Sequence, residues 1–320
     1  MTGDAMIQPE GLSTKPVVAV NQVAVVLNSL AGGNLRRSLF MQQRLGQLFA
    51  TAGLTVDIHW IIPNKLPAVL QALIAAKVGM IIVGGGDGTL NTAAHLLVDT
   101  DTVLGVLPLG TFNGFATDIG MPRDLEQAVE VIGRGKIITV DVGEINGRVF
   151  LNNVCVGVYP YAVRRRELYR RLLGMPKLYA MGYAALGAFW RLPTLKTWID
   201  VDETRQFVET AFVFIGNNRY KNGLMPGVRR RPALNEGWLS VLYLRTVGRL
   251  ALIKTVLRSL YKWLEDLPEL EVKDAKQVAV ETKKRRLRIA LDGELTMLQP
   301  PLMLRIRPRA LRVIVPRCEH

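Results

Sequence analysis

Short apolar runs alternate with helically periodic segments over the first 136 residues, the pattern of βα units wound into a mostly parallel sheet. Val23–Leu27 predicts a buried strand, and Asn28 to Gly33 the loop that follows it. A helix from about Leu35 to Ala52 puts Leu39, Phe40, Leu45, Leu48 and Phe49 near one face and stops at Gly53. Next come a strand over Thr55–Trp60, a helix over Leu66–Ala76, a strand over Gly79–Val83, a glycine loop and a helix from near Leu90. Val103–Leu107 predicts another strand, which runs into a second glycine-bearing loop, and Asp124 caps a helix of about ten residues.

Beyond Ile137 the texture changes to strand-like runs at Ile137–Val142, Val149–Val156, Leu195–Val201, Phe207–Ile215, Leu239–Leu244, Gln277–Thr282, Leu287–Leu291, Leu302–Ile306 and Leu311–Val315. Such a succession predicts an antiparallel β-sandwich. Helical inserts interrupt it at Tyr161–Arg191 and Arg249–Leu264. The expected organisation is an α/β domain over 17–136 and a β-sandwich domain over 137–316, with the last strand or tail able to pack back on the first domain.

Composition narrows the classes. A chain of 320 residues with 49% hydrophobic content can bury a core without disulfides, and its two cysteines, Cys155 and Cys318, belong to no metal-binding cluster. A reducing cytosol is the simplest address. Met1 to Pro16 contains Asp4 and Glu10 and has no apolar centre, so it reads as a polar tail. No stretch sustains the roughly 20 apolar residues of a spanning helix.

The net charge of +14 is unevenly placed. Residues 1–150 carry 10 Lys+Arg and 12 Asp+Glu, net −2, and residues 151–320 carry 31 and 15, net +16. A basic half suits nucleic acid, an anionic membrane surface or a polyanion. No groove-reading or base-stacking module is present, which disfavours nucleic acid. The three histidines, His59, His95 and His320, lack metal-ligand spacing.

Candidate chemistry starts at Gly84-Gly85-Gly86-Asp87-Gly88-Thr89, between a strand and a helix. Glycines there let backbone N–H groups approach a phosphate, and the helix N-terminus adds partial positive charge. Asp87 is itself anionic, so it holds a metal ion, orients a hydroxyl or fixes the loop. The run lacks the Lys-Ser/Thr ending of a P-loop and the GxGxxG order of a dinucleotide fold. The second loop, with Gly110, Thr111 and Asn113, and the first, Asn28 to Gly33, should reach the same carboxyl edge of the sheet.

Three motifs together carry a resemblance: Gly84–Asn91 (GGGDGTLN), Pro108–Ala116 (PLGTFNGFA) and Asp292-Gly293-Glu294. In order and spacing they cover nearly the whole chain, which resembles the diacylglycerol kinase catalytic-domain family, bacterial lipid kinases related to sphingosine and ceramide kinases. The shared Gly-Asp-Gly-Thr loop extends the likeness of the first domain to NAD kinases and phosphofructokinases. The resemblance implies phosphoryl transfer from ATP, with its Mg²⁺, to a lipid hydroxyl in a cleft between the two domains, with diacylglycerol the first candidate. It implies nucleotide contacts from Asn28, Ser29, Gly32, Gly84, Gly85, Gly86, Asp87, Gly88, Thr89, Asn91, Gly110, Thr111 and Asn113. Asp292 and Glu294 would supply the general base, with Asp87 nearby; an Asp-Gly hairpin turn is the bland alternative for that motif.

The chain departs from the family pattern at Ser29-Leu30-Ala31, at Phe112 and Gly114 in the second motif, and at Ser240, where the family often has Asp. Losing two carboxylates implies no metal held by the protein alone. Alternatives are an NAD-kinase-like soluble phosphotransferase and a degenerate lipid-binding relative. Arg164, Arg165, Arg166, Tyr169, Arg170 and Arg171 form the expected contact with an anionic membrane, giving a cytoplasmic, peripherally attached protein whose oligomeric state the sequence leaves open. Arg229-Arg230-Arg231 and Lys283-Lys284-Arg285-Arg286 add to that field or form solvated turns.

Overall fold

A computed structural model describes residues 22–30, 39–157, 194–220, 231, 233–245 and 270–317. The chain divides into two compact units: one reaches Val140 and resumes at Arg309, and the other is Asp141–Pro308. Both expected helical inserts lie outside the described residues.

In the first unit the strands are β1 (Val23–Asn28), β2 (Val56–Ile61), β3 (Met80–Gly85) and β4 (Val103–Pro108), and the helices α1 (Leu39–Thr51), α2 (Leu66–Ala75), α3 (Asp87–Leu97), α4 (Gly114–Asp118) and α5 (Leu125–Arg134). The four strands are parallel in the order β2-β1-β3-β4. β1, β3 and β4 are apolar along nearly their whole length because helices cover both faces of a parallel sheet. The chain steps one way from β1 to β2 and the other way from β2 to β3. Right-handed crossovers therefore place α1 on one face and α2 and α3 on the other, in keeping with α1 packing on α5 and α2 on α3. The order reverses between β1 and β3, so their carboxyl ends diverge and leave the crevice where open α/β sheets take ligands.

Asp124 caps α5 as the sequence predicts, its carboxylate accepting from the Gln127 N–H at 3.0 Å. The helix expected from near Leu90 instead starts at Asp87. Gly86 is its N-cap, so Asp87, Gly88 and Thr89 form the first turn and not a loop. An acidic residue there complements the helix dipole.

The second unit holds β6 (Arg148–Phe150), β7 (Asn153–Gly157), β8 (Leu195–Val201), β9 (Thr204–Asn217), β10 (Leu239–Arg245), β11 (Leu270–Ala275), β12 (Gln277–Glu281), β13 (Leu287–Leu291) and β14 (Glu294–Leu298). Two strands, β5 (Lys136–Ile145) and β15 (Leu302–Val315), contribute to both units. Every described pairing of β7 to β14 within this unit is antiparallel. β9 pairs with β8 through Thr204–Thr210, then runs between β7 and β10 through Phe212–Gly216. Val154, Ile199, Val213, Val241, Tyr243, Ile289 and Leu304 meet in the resulting core.

Three expectations change in detail. The run Val149–Val156 is two strands broken by a corner at Leu151–Asn152. Leu302–Ile306 and Leu311–Val315 are one strand that absorbs Pro308 and a positive-φ Arg309. β11 and β14 escaped notice because charge in one and the largely exposed positions of the other hid their alternation.

Candidate active site

One set of candidate residues lies at the β1/β3 reversal of the first unit. Asn28, the last residue of β1, donates from Nδ2 to the Thr89 hydroxyl at 2.9 Å and accepts from the Leu30 N–H at 2.9 Å. This ties the end of β1 to the first turn of α3. The N-cap Gly86 is extended and makes no side-chain cap bond, so glycine leaves the helix start uncluttered for an anion.

The loop after β4 lies against this turn. A Cβ built on Gly110 would overlap the Gly86 Cα and sit 2.6 Å from the Asn113 Oδ1, so the two glycines meet backbone to backbone. Asn113, 4% exposed and left-handed at φ 53°, braces the loop from within. Its Oδ1 accepts from the Gly110 N–H at 2.9 Å, and its Nδ2 donates to the Pro108 and Gly110 carbonyls at 3.1 and 2.9 Å. The Asn113 amide is thus spent on loop shape. Thr111 and Phe112 are exposed, Phe112 by 64%.

Asp87 joins the two loops. Its Oδ1 accepts from the Phe115 N–H at 3.4 Å, and the amides of Gly114 and Asn113 also favour its charge. Burial outweighs them and raises its carboxyl above the ordinary 3.8. Of the three roles open from sequence, the one these contacts describe is fixing the loop. The folded carboxyl therefore binds its proton more tightly than the unfolded one. Stability contributed by this group is present below pH 3.8 and is lost as pH rises through the raised folded value. Urea titrations of wild type and Asp87→Asn should diverge as pH rises through the raised folded value, with wild type losing stability relative to the variant, and the difference should fade below pH 3.8.

A separate set of candidate residues lies in the second unit. Asp292 and Gly293, both at positive φ (47° and 84°), form the two-residue turn between β13 and β14. The hairpin alternative is therefore the actual backbone, but Asp292 does more than turn. Its Oδ2 accepts from the Leu151 N–H at 2.8 Å, and its Oδ1 from the N–H groups of Asn152 and Asn153 at 2.8 and 2.9 Å. The corner that splits β6 from β7 is the cradle of this carboxylate. Glu294, the first residue of β14, is exposed.

Sequence reasoning missed three buried polar residues around the same corner. Asn217 donates from Nδ2 to the carbonyls of Leu151 and Asp141 at 3.0 and 2.9 Å. Asp141, 1% exposed, accepts the Gly237 N–H at 2.7 Å. Arg231 is 3% exposed, which corrects its assignment to a surface charge run or a solvated turn. Asp141 could have been found, since a carboxylate between Val140 and Val142 in a strand needs a partner. Nothing in Arg229-Arg230-Arg231 distinguishes its third member. Ser240 is buried on β10 opposite Gly216 and Asp274. Gly32 and the membrane candidates Arg164, Arg165, Arg166, Tyr169, Arg170 and Arg171 lie outside the described residues.

Two family descriptions match in tandem: "Diacylglycerol kinase catalytic domain" over residues 22–145 and "YegS C-terminal NAD kinase beta sandwich-like domain" over residues 152–315. The second alone takes in half of the chain. The chain belongs to the diacylglycerol kinase catalytic-domain family.

Curated members of this family include "Probable lipid kinase YegS-like" from Klebsiella pneumoniae, 36% identical over 108 residues, 32% of this chain and 36% of the relative. One of the same name from an Enterobacter species is 41% identical over 81 residues, 24% and 27% of the two chains. The matches thus span about a third of these relatives' length. In the solved structures, a diacylglycerol kinase from Bacillus anthracis shares the fold with a TM-score of 0.69 at 21% identity, covering 93% of this chain and 98% of that one. The family fold accounts for the α/β unit followed by antiparallel strands.

Proposed function

We propose that the chain is an ATP-dependent lipid kinase that phosphorylates a lipid hydroxyl, with diacylglycerol the first candidate. The observation that carries this reading is the pair of glycine loops at the β1/β3 reversal, held backbone to backbone beside an α3 start that no side chain caps. Phosphates suit such a cradle because its glycines let backbone N–H groups approach closely and the α3 N-terminus adds partial positive charge.

In this reading Gly84, Gly85, Gly86, Gly88, Thr89, Asn91, Gly110 and Thr111 contact the nucleotide, while Asn28, Asp87 and Asn113 hold the loops in shape. Mg²⁺ would arrive with ATP. Bound there, the ion would neutralise phosphate charge. The Asp292/Glu294 turn accepts the proton of the attacking lipid hydroxyl. Asp292, with three N–H groups upon it, also fixes where the turn stands.

Labelled ATP with a panel of lipid alcohols in mixed micelles, and NAD as a soluble acceptor, tests the assignment. Labelled phospholipid is expected. Labelled NADP without labelled lipid would replace it with NAD-kinase-like chemistry.

A membrane-facing role draws on the basic half. No described helix is long and apolar enough to cross a membrane. Trp198 and Phe207 are exposed side by side across β8 and β9, their ring centroids 5.3 Å apart, with the Arg205 guanidinium 5.0 Å from the Trp198 ring. Trp198 is in register with Glu281, and the exposed Lys283, Lys284, Arg285 and Arg286 follow directly. Aromatic rings beside clustered cations suit an anionic lipid surface. Sedimentation with vesicles containing anionic lipid should weaken with salt. It should fall by roughly 100-fold when Arg164, Arg165 and Arg166 are replaced together, at about 1 kcal/mol per basic residue. Salt-independent binding would count against this role.

A further inference from the structure

Arg231 is buried to 3% exposure in a segment whose composition suggests solvent. Its Nη1 donates to the carbonyls of Leu151 and Asn217 at 2.7 and 2.9 Å, and its Nη2 to the Asn152 Oδ1 at 3.2 Å. The same Leu151–Asn153 corner directs its N–H groups to Asp292. A cation therefore gathers the corner's oxygens while an anion gathers its nitrogens. Two further bonds reach the corner: the Asn217 N–H and the Tyr220 hydroxyl both donate to the Asn152 carbonyl, at 2.9 and 3.0 Å.

A guanidinium is suited to this task because its donors lie in one plane and spread over several acceptors, whereas an ammonium is a compact point charge. We propose that Arg231 is a positioning residue for catalysis: by fixing the Leu151–Asn153 corner, it fixes Asp292 and the turn that carries Glu294. The proposal rests on the reading that this turn supplies the base. Arg231 contacts no reacting atom in this scheme; it acts through the three amides and the carboxylate they hold. Peptides polarised by a cation at their carbonyls also become stronger N–H donors, which reinforces the grip on Asp292.

The experiment uses the full chain as wild type, Arg231→Lys, Arg231→Gln and Arg231→Ala, assayed with diacylglycerol in mixed micelles and ATP, alongside hydrogen exchange at the Leu151, Asn152 and Asn153 amides. The substitutions should lower kcat by about 10–100-fold, the range for removing a partner that orients a functional group. KM for ATP should stay within about twofold, because the loops that hold nucleotide are elsewhere in the chain. Exchange at the three amides should rise. Low-millimolar guanidinium chloride should restore part of kcat and of the protection in Arg231→Ala, and equal sodium chloride should not. Lysine should rescue poorly.

Unchanged exchange at the three amides in Arg231→Gln and Arg231→Lys would overturn the proposal, as would raised exchange with wild-type kcat. If Arg231→Ala fails to fold, those two milder variants still decide. Asp292→Asn and Glu294→Gln serve as separate arms. Near-normal turnover in both would remove the reading of the turn as base, a result distinct from failure of the Arg231 arm.

Discussion

Asp292→Asn is expected to lose both turnover and stability, whereas Glu294→Gln should lose turnover alone. The difference follows from the cradle. The Asp292 oxygens accept three peptide N–H groups, and an amide would turn its own NH₂ toward at least one of them. Leaving these donors without their acceptor should cost about 3 kcal/mol, at 1–3 kcal/mol per buried group with partial relaxation. Glu294 is exposed at the start of β14, where changing a carboxylate to an amide costs well under about 0.5 kcal/mol. Urea unfolding separates the two variants, and lipid phosphorylation at saturating ATP should drop by at least about 100-fold in each. Equal urea midpoints for Asp292→Asn and wild type would show that the carboxylate does not hold the corner.

Gly110→Ala should be far more damaging than Gly86→Ala, although both lie in the glycine loops. A methyl on Gly110 runs into the Gly86 backbone and the Asn113 side chain, neither of which can swing aside, since Asn113 is buried and makes three hydrogen bonds. A methyl on Gly86 meets the Gly110 Cα at 3.4 Å, an ordinary contact. Gly110→Ala should therefore cost about 1–3 kcal/mol of stability, the range for overpacking. It should weaken nucleotide binding by about 100-fold or more, because the loops can no longer close together. Gly86→Ala should leave the melting temperature nearly unchanged. Thermal unfolding with fluorescent-nucleotide titration reads both effects; comparable losses in the two variants would refute the backbone contact as the cause.

At two strands the sequence reading and the structure coincide. Leu195–Val201 and Leu287–Leu291 have the expected bounds, since alternation of apolar and polar residues marks a strand half-buried on one face. The α5 cap was legible because Asp124 serves its own helix three residues on. Reading failed where a residue's partner is far along the chain. The split at Leu151–Asn152 needs Asp292, about 140 residues away, and no window of local periodicity contains both. Arg231 is harder still, because three consecutive arginines look alike until one finds carbonyls to bind. Asp87 and Asn113 are expected from sequence as nucleotide contacts, but their observed contacts are largely with the loops themselves, an arrangement that spacing alone cannot express.

The final segment of β15 belongs to the first unit. Val313 pairs in parallel with Leu104 of β4, the Ala310 carbonyl accepts from Asp99, and Arg312 donates to the Asp101 carbonyl at 2.9 Å. On the ribosome, β4 emerges about 200 residues before the strand that covers its edge. The nascent α/β unit must wait through synthesis of all of Asp141–Pro308 with one sheet margin open, a form prone to pairing with other chains. Truncated chains that end before Arg309 should therefore be recovered as aggregates, even though every glycine loop is intact in them.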